Sequence, residues 1–240
     1  MNTQIARYRF HPAAVAALAA VVFVGFAKTY YFRAFSGLPS LAQPAHVHGL
    51  IATVWIALHY TQARLVAAHR VDLHRRLGIF AAFVAALLAV QAISMAVGNA
   101  AAGHGPAGRD PLQFLSVPLG TTTMFTLFVG SALALRRQRE WHKRLMLLAT
   151  MTLLVPAMGR LDAQIMQPLG LPRLALAPAV SVGFVAWAWM HDWRRLGRVH
   201  PAYIVGGIAL IVSIPLRRWI GFTDAWLPIA RWLVGKVNVH

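Results

Sequence analysis

Residues 73–98 read LHRRLGIFAAFVAALLAVQAISMAVG. After the two arginines, the run from residue 77 to residue 98 has no charged side chain, and Gln91 and Ser94 are its polar ones. A helix needs about 20 mostly apolar residues to cross the hydrocarbon core of a bilayer, and this run is long enough. The stretch therefore predicts a transmembrane helix that begins at a basic loop.

The composition of the whole chain indicates the same class. Of 240 residues, 58% are hydrophobic and 12% are charged, against about 25% charged in a soluble domain. Lys and Arg number 23 and the acids 6, which gives a net charge of +17. The basic residues fall between apolar runs instead of lining one face, so we expect lipid headgroups and no nucleic acid as their partner. The absence of cysteine excludes disulfides, thiolate metal sites and cysteine nucleophiles.

Six further apolar runs accompany the first. We predict an all-α polytopic membrane helix bundle of about seven transmembrane helices, which forms a single integral membrane domain over residues 1–240. The predicted spans are residues 12–32, 46–67, 77–98, 112–135, 142–163, 174–191 and 201–216. Residues 217–240 contain three tryptophans together with charged residues, and we expect an interfacial tail there instead of an eighth span.

The distribution of Lys and Arg predicts the orientation. Loops on the side of the N-terminus hold 14 of these residues, and loops on the other side hold 5. Cytoplasmic loops carry the excess of positive charge in membrane proteins. The sequence therefore predicts a multi-pass protein of the bacterial inner membrane with a cytoplasmic N-terminus.

An internal repeat organises spans two to five. Leu73-His74-Arg75-Arg76-Leu77 and Trp141-His142-Lys143-Arg144-Leu145 are 68 residues apart, and each opens a span after a short basic loop. Residues 46–165 thus form two tandem hairpins of one four-helix core. Tandem units of the same sense are related by an axis along the membrane normal. The repeat predicts that His74 and His142 lie at the same cytoplasmic depth.

The same motifs carry a resemblance. Together with His59-Tyr60-Thr61-Gln62-Ala63-Arg64, the paired His-Arg-Arg and His-Lys-Arg helix starts resemble a bacterial family of predicted inner-membrane proteins of unknown function. The His-Lys-Arg start is more distantly similar to small membrane proteins linked to cytochrome oxidase assembly. The resemblance covers about residues 46–165 and implies a fold, without an established activity.

Histidines are the main candidates for chemistry. His48 and His59 are 11 residues apart, which places them about 20° apart around a helix and on one face of span two. Histidines on facing bundle helices hold haem iron. We therefore predict that His48, His59, His74 and His142 bind a haem b, with His59 and His142 as its metal ligands. The competing interpretation makes His48, His74 and His142 headgroup-level residues and His59 a hydrogen-bonded structural residue.

A second set of polar residues falls toward the outer ends of the spans. Ionisable groups inside a membrane are costly and indicate function by default. We predict that Arg160, Asp162 and Gln91 bind substrate in a polar cavity shared with His48, since the Arg160 fork suits a carboxylate, a phosphate or a quinone oxygen. The competing interpretation is a closed Arg160–Asp162 ion pair. We expect His11, His69, His104, His200 and His240 to be solvated.

The leading functional hypothesis is an inner-membrane haem-binding or redox-associated protein that exchanges electrons with quinone. One alternative is a small proton-coupled transporter that uses His48, His59 and Arg160. Another is a non-catalytic assembly factor that binds respiratory-complex subunits. The sequence identifies no catalytic residue, so whether the protein is an enzyme stays open.

Overall fold

The computed structural model describes residues 3–106, 108–166, 168–169 and 176–236. Within these ranges the regular elements are helical. A π-helical turn at Ala27–Tyr31 and a 3-10 turn at Arg33–Phe35 follow the first helix. The α-helices are α1 (Thr3–Phe26), α2 (Gln43–Ala67), α3 (Val71–Ala101), α4 (Pro111–Ala134), α5 (Arg139–Met151), α6 (Leu154–Met166), α7 (Leu176–Leu196), α8 (Pro201–Ile220) and α9 (Trp226–Gly235).

A helix occupies the position of each predicted span. Within the described residues, five stretches are long and apolar enough to cross a membrane: Phe10–Tyr31, Val71–Ala101, Pro111–Ala134, Arg139–Met166 and Pro201–Ile220. The predicted all-helical class is confirmed, whereas the count of seven spans stays a prediction because α2 and α7 are not among the five. The predicted start at residue 174 and the predicted tail from residue 237 onward lie outside the described residues.

The central helix of the bundle is α5 with its continuation α6. Of the 18-residue apolar segment in this stretch, 56% is buried, against 28–33% of the corresponding segments in the other four apolar stretches. The helix is interrupted at Thr152 and Leu153, whose amides bond to carbonyls three residues back. Pro156 explains the interruption, since it has no N–H to donate to the carbonyl of residue 152.

The other helices surround this one in an order that reflects the repeat. α2 packs chiefly on α3, and α4 on α5, so the two tandem hairpins are present. α1 lies against α2, α5 and α6, α7 lies against α6 and α8, and α8 lies against α4 and α5. The α2–α3 turn is tight because His69 adopts a φ of 60°, the left-handed conformation that commonly ends a helix.

The C-terminal part differs from the predicted tail at its start. α8 continues to Ile220, four residues beyond the predicted end of the seventh span. α9 then folds back on the ends of α3 and α4, where Ala230 joins Val97, Ala100 and Leu115 in a small apolar cluster. Nε1 of Trp226 donates to the carbonyl of Leu112 at 2.8 Å and ties α9 to the first turn of α4.

Candidate functional site

Two histidines meet where α3 and α5 begin. The ring centres of His74 and His142 are 6.2 Å apart, and the ring planes are 84° apart. Each histidine lies in the first turns of its helix, directly after a basic loop. This is the neighbourhood that the 68-residue repeat predicts.

The His142 ring has a fixed orientation. Its Nδ1 is 2.8 Å from the carbonyl oxygen of Ala132, near the end of α4. A carbonyl only accepts, so Nδ1 carries a proton, and in the neutral ring Nε2 has the lone pair. Histidines that bind metals are held in this way, with the second ring nitrogen donating to a backbone carbonyl or a carboxylate.

His59 is held by an analogous contact deeper in the bundle. Its Nδ1 is 2.6 Å from Oγ1 of Thr150, and both residues are buried. The Thr150 hydroxyl donates to the carbonyl of Met146 at 3.3 Å. It therefore accepts from Nδ1–H of His59, which leaves Nε2 of His59 with the free lone pair.

Several buried polar atoms around these rings have no partner. Nε1 of Trp55 and both amide atoms of Gln62 are buried and lack a hydrogen bond within the described ranges. Gln62 faces α3, since a Cβ built on Gly78 would lie 3.7 Å from its Nε2. Buried polar groups without partners are uncommon in folded proteins and call for an explanation such as a bound molecule. We name Trp55, His59, Gln62, His74, His142 and Thr150 the inner polar cluster.

The structure adds the His74–His142 pair to the His59–His142 pair expected from the sequence. Thr150 holds His59 and lies eight residues after His142, which is about 12 Å farther along the helix. His74 is the ring that lies beside His142, and the predicted His59–His142 ligand pair stays a prediction. No three His, Cys, Asp or Glu among the described residues are grouped closely enough to bind a metal ion.

The outer residues are less closely associated than predicted. Arg160 is exposed, and its guanidinium carbon lies 4.5 Å from the ring centre of Phe26. Asp162 is 9% exposed, and its Oδ1 has no hydrogen-bond partner in the described part of the chain. Two residues apart on a helix means about 200° of rotation, so the two side chains point different ways. The closed Arg160–Asp162 ion pair of the competing interpretation is not formed between these two described residues.

His48 and Gln91 are the other two residues of the predicted outer cavity. The charge of Arg160 lies close enough to act on His48, and Nδ1 of His48 is buried without a partner among the described residues. Gln91 is half-buried on α3, with no hydrogen bond to His48, Arg160 or Asp162 where the structure describes them. The predicted cavity shared by all four residues stays a prediction.

The sequence did not reveal a buried ion pair beside the inner polar cluster. Nε of Arg144 donates to Oδ2 of Asp192 at 2.8 Å, and Nη2 donates to Oδ1 at 2.6 Å. Both side chains are almost fully buried, and the guanidinium lies over the Tyr203 ring. Arg144 also reaches Glu140. The sequence contains a signal for this ion pair, because Arg144 belongs to the repeated motif and the chain has only six acids that could pair with it.

Two histidines expected to be solvated are instead part of the packing. Nδ1 of His200 accepts from the amide of Ala202 at 3.1 Å and caps α8, while the His200 amide donates to Asp192. Partial burial, helped by the positive charge of Arg144, lowers the pKa of His200. Nε2 of His11 is buried and has no hydrogen-bond partner within the described ranges.

Comparison of the chain with family models, with curated proteins and with solved structures found no match. The resemblance to predicted inner-membrane proteins therefore stays a prediction that rests on the helix-start motifs. The residues of the site carry the functional argument.

Proposed function

We propose that this chain is a redox-associated inner-membrane protein that binds haem b between His74 and His142. The observation that carries the proposal is the 6.2 Å separation of their ring centres. A separation of this size would let both imidazoles hold one iron, because a metal–nitrogen bond is about 2.0 Å long and each ring adds its own radius.

The number of available ligands favours haem over a bare ion. A structural zinc site uses four protein ligands. Haem iron needs only one or two, because the porphyrin supplies four nitrogens. The Nδ1–H contact of His142 to Ala132 fits this role, since it presents Nε2 as a ligand.

The surroundings suit an amphipathic cofactor. Arg75, Arg76 and Lys143 flank the two histidines in sequence and would supply cations for propionate groups, and Lys143 also pairs with Glu140. Trp55 and Gln62 offer buried donors and an acceptor to a neighbouring molecule such as quinone. When bound, the haem would supply one-electron transfer, and this chain would fix its ligands and exclude water.

The same proposal includes seven spans, formed by α1, α2, α3, α4, the α5–α6 pair, α7 and α8. The 14-to-5 division of Lys and Arg favours a cytoplasmic N-terminus, with the inner polar cluster near the cytoplasmic face. Single cysteines can be labelled from either side, since the wild type has none. Labelling of residue 137 from the periplasm would contradict this orientation.

The visible spectrum of the purified protein tests haem binding. We expect a Soret band after haem supplementation, with the spectrum of a six-coordinate low-spin iron. His74→Ala and His142→Ala should each shift the spectrum toward high spin, and His104→Ala, which removes an exposed loop histidine, should leave it unchanged. Absence of a Soret band, or the same spectrum in all three variants, would refute the proposal.

A second candidate is a small proton-coupled transporter. The observation in its favour is Asp162, a buried carboxyl group with an unpartnered oxygen inside the Arg139–Met166 stretch. Such residues mark proton pathways in transporters. Proton-driven uptake into vesicles that Asp162→Asn abolishes would support this candidate. Co-purification with oxidase subunits without a Soret band would support the assembly factor.

A further inference from the structure

A buried arginine lies far from the inner polar cluster. Arg217 is on α8, three residues before the helix ends, and its side chain is only 3% exposed. It packs against α4, where a Cβ built on Gly120 would lie 2.9 Å from the Cβ of Arg217. Along α4, Thr121 is 11 residues, or about 16 Å, from Ala132 beside His142.

The guanidinium of Arg217 is only partly satisfied. Nη1 donates to Oγ1 of Thr121. Nε and Nη2 are buried and have no hydrogen-bond partner in the part of the chain that the structure describes. The charge that acts on Arg217 is that of Arg218, which is also positive. Arginine stays protonated in proteins, so this buried charge has no counter-ion among its described neighbours.

The two unpartnered nitrogens form one edge of the guanidinium. Arg144 uses the same edge, Nε with Nη2, to bind both oxygens of Asp192. This edge presents two parallel N–H groups that match a carboxylate or phosphate. The hydroxyl of Thr121 binds Nη1 on the opposite side of the Arg217 guanidinium, so the Nε–Nη2 edge has a defined orientation.

We propose that the Nε–Nη2 edge of Arg217 binds an oxyanion between α4 and α8. A carboxylate or a phosphate group has the required pair of acceptors, and it comes either from a lipid headgroup or from a soluble anion. Because both nitrogens are buried, binding requires a local shift, for which the turn at residues 221–225 between α8 and α9 is the adjacent non-helical segment. The proposal does not depend on haem binding.

Thermal unfolding of the purified full chain in a neutral detergent tests the site. The probes are inorganic phosphate, succinate, and mixed micelles that contain phosphatidylglycerol, with phosphatidylcholine as the neutral reference. We expect a saturable rise in the midpoint with at least one anionic probe. Arg217→Gln should abolish the rise, and Arg217→Lys, which keeps the charge and loses the fork, should raise the half-saturating concentration at least tenfold.

Arg218→Gln is the matched control, because Arg218 is adjacent, equally charged and exposed. The probe concentration that half-saturates the Arg218→Gln variant should stay within threefold of the wild-type value. A response to phosphate or succinate identifies a soluble anion, and a response to phosphatidylglycerol alone identifies a lipid. No saturable response, or equal losses in the Arg217 and Arg218 variants, overturns the proposal.

Hydrogen exchange of the wild type provides a readout that does not require the Arg217 variants to fold. The effective probe should slow amide exchange in residues 113–122 of α4 and residues 214–225 around the end of α8. Protection confined to other helices would overturn the proposal.

Discussion

The hydroxyl of Thr150 joins His59 of α2 to the central helix, with Oγ1 2.6 Å from Nδ1 and both side chains buried. The contact spans 91 residues of sequence, and it aims the one deeply buried histidine of α2. It therefore couples the two tandem hairpins at the level of the bundle core. Its loss leaves a buried imidazole N–H without an acceptor.

Thr150→Val should lower the free energy of unfolding by about 1–3 kcal/mol, the cost of an unsatisfied buried group. Thr123→Val is the matched control, since Thr123 is exposed and also donates to the carbonyl four residues back. Its change should stay within about 0.5 kcal/mol. Reversible denaturation in mixed micelles measures both values, and equal effects would show that the His59 contact contributes nothing.

The Arg144–Asp192 pair predicts a larger effect. Asp192→Ala leaves an almost fully buried guanidinium without its bidentate partner, and removal of one member of a buried pair costs about 3–5 kcal/mol. Asp224→Ala removes an exposed acid and should change stability by less than about 0.5 kcal/mol. The same denaturation assay separates the two variants. Retention of wild-type stability in Asp192→Ala would mean that Glu140 alone satisfies Arg144.

Small residues set the distance between α1 and α6. A Cβ on Gly25 would lie 2.6 Å from the carbonyl oxygen of Ala157, so Gly25→Ala must push the helices apart. We expect a loss of about 1–3 kcal/mol from overpacking. Gly130→Ala, where a Cβ has no neighbour within 4 Å, should instead gain about 0.5–1 kcal/mol of helix stability. Destabilisation of both variants by the same amount would contradict the close approach of α1 to α6 at Gly25.

The cap of α8 predicts a pH effect. Nδ1 of His200 accepts a hydrogen bond, so it must be unprotonated, and burial holds its pKa below 6.5 in the folded state. As the pH falls, the His200 ring of the unfolded chain binds a proton before the ring of the folded chain does. The contribution of His200 to the free energy of unfolding is therefore complete above about pH 6.5 and is lost below it. The cap is worth about 1 kcal/mol.

Replacement with asparagine isolates this effect. Asn is a favourable cap that does not titrate, so His200→Asn should lose less stability than the wild type between about pH 7.5 and about pH 5.5. Denaturation at the two pH values gives the difference. Parallel pH dependence in the two proteins would assign the acid sensitivity to other histidines.

The sequence predicted the parts of the fold that depend on pattern. Apolar runs located the helices, and the 68-residue repeat placed His74 beside His142. Each of these rests on spacing along the chain. α2 and α7 carry several ionisable or amide side chains and are not among the five stretches apolar enough to cross a membrane, so their spanning stays a prediction.

The sequence predicted less of the site, because contacts between distant helices depend on rotation and depth. The contact of His59 with Thr150 joins two helices that lie 91 residues apart in sequence, and no local pattern predicts it. Arg217 counted only as a basic residue of the tail until α8 proved to continue to Ile220 and bury it. Burial of one charge cannot be deduced from a hydropathy profile, since neighbouring Arg218 is exposed.

The Arg144–Asp192 pair also bears on the order of synthesis. Asp192 follows Arg144 by 48 residues, which is roughly 2–10 s of translation at about 5–20 residues per second. During that interval Glu140, made just before Arg144, is the carboxylate within reach on the same helix. Arg144 acquires its second partner only when α7 emerges. The α5–α6 helix, the most buried of the five long apolar stretches among the described residues, thus reaches its final contacts after helices around it have been made.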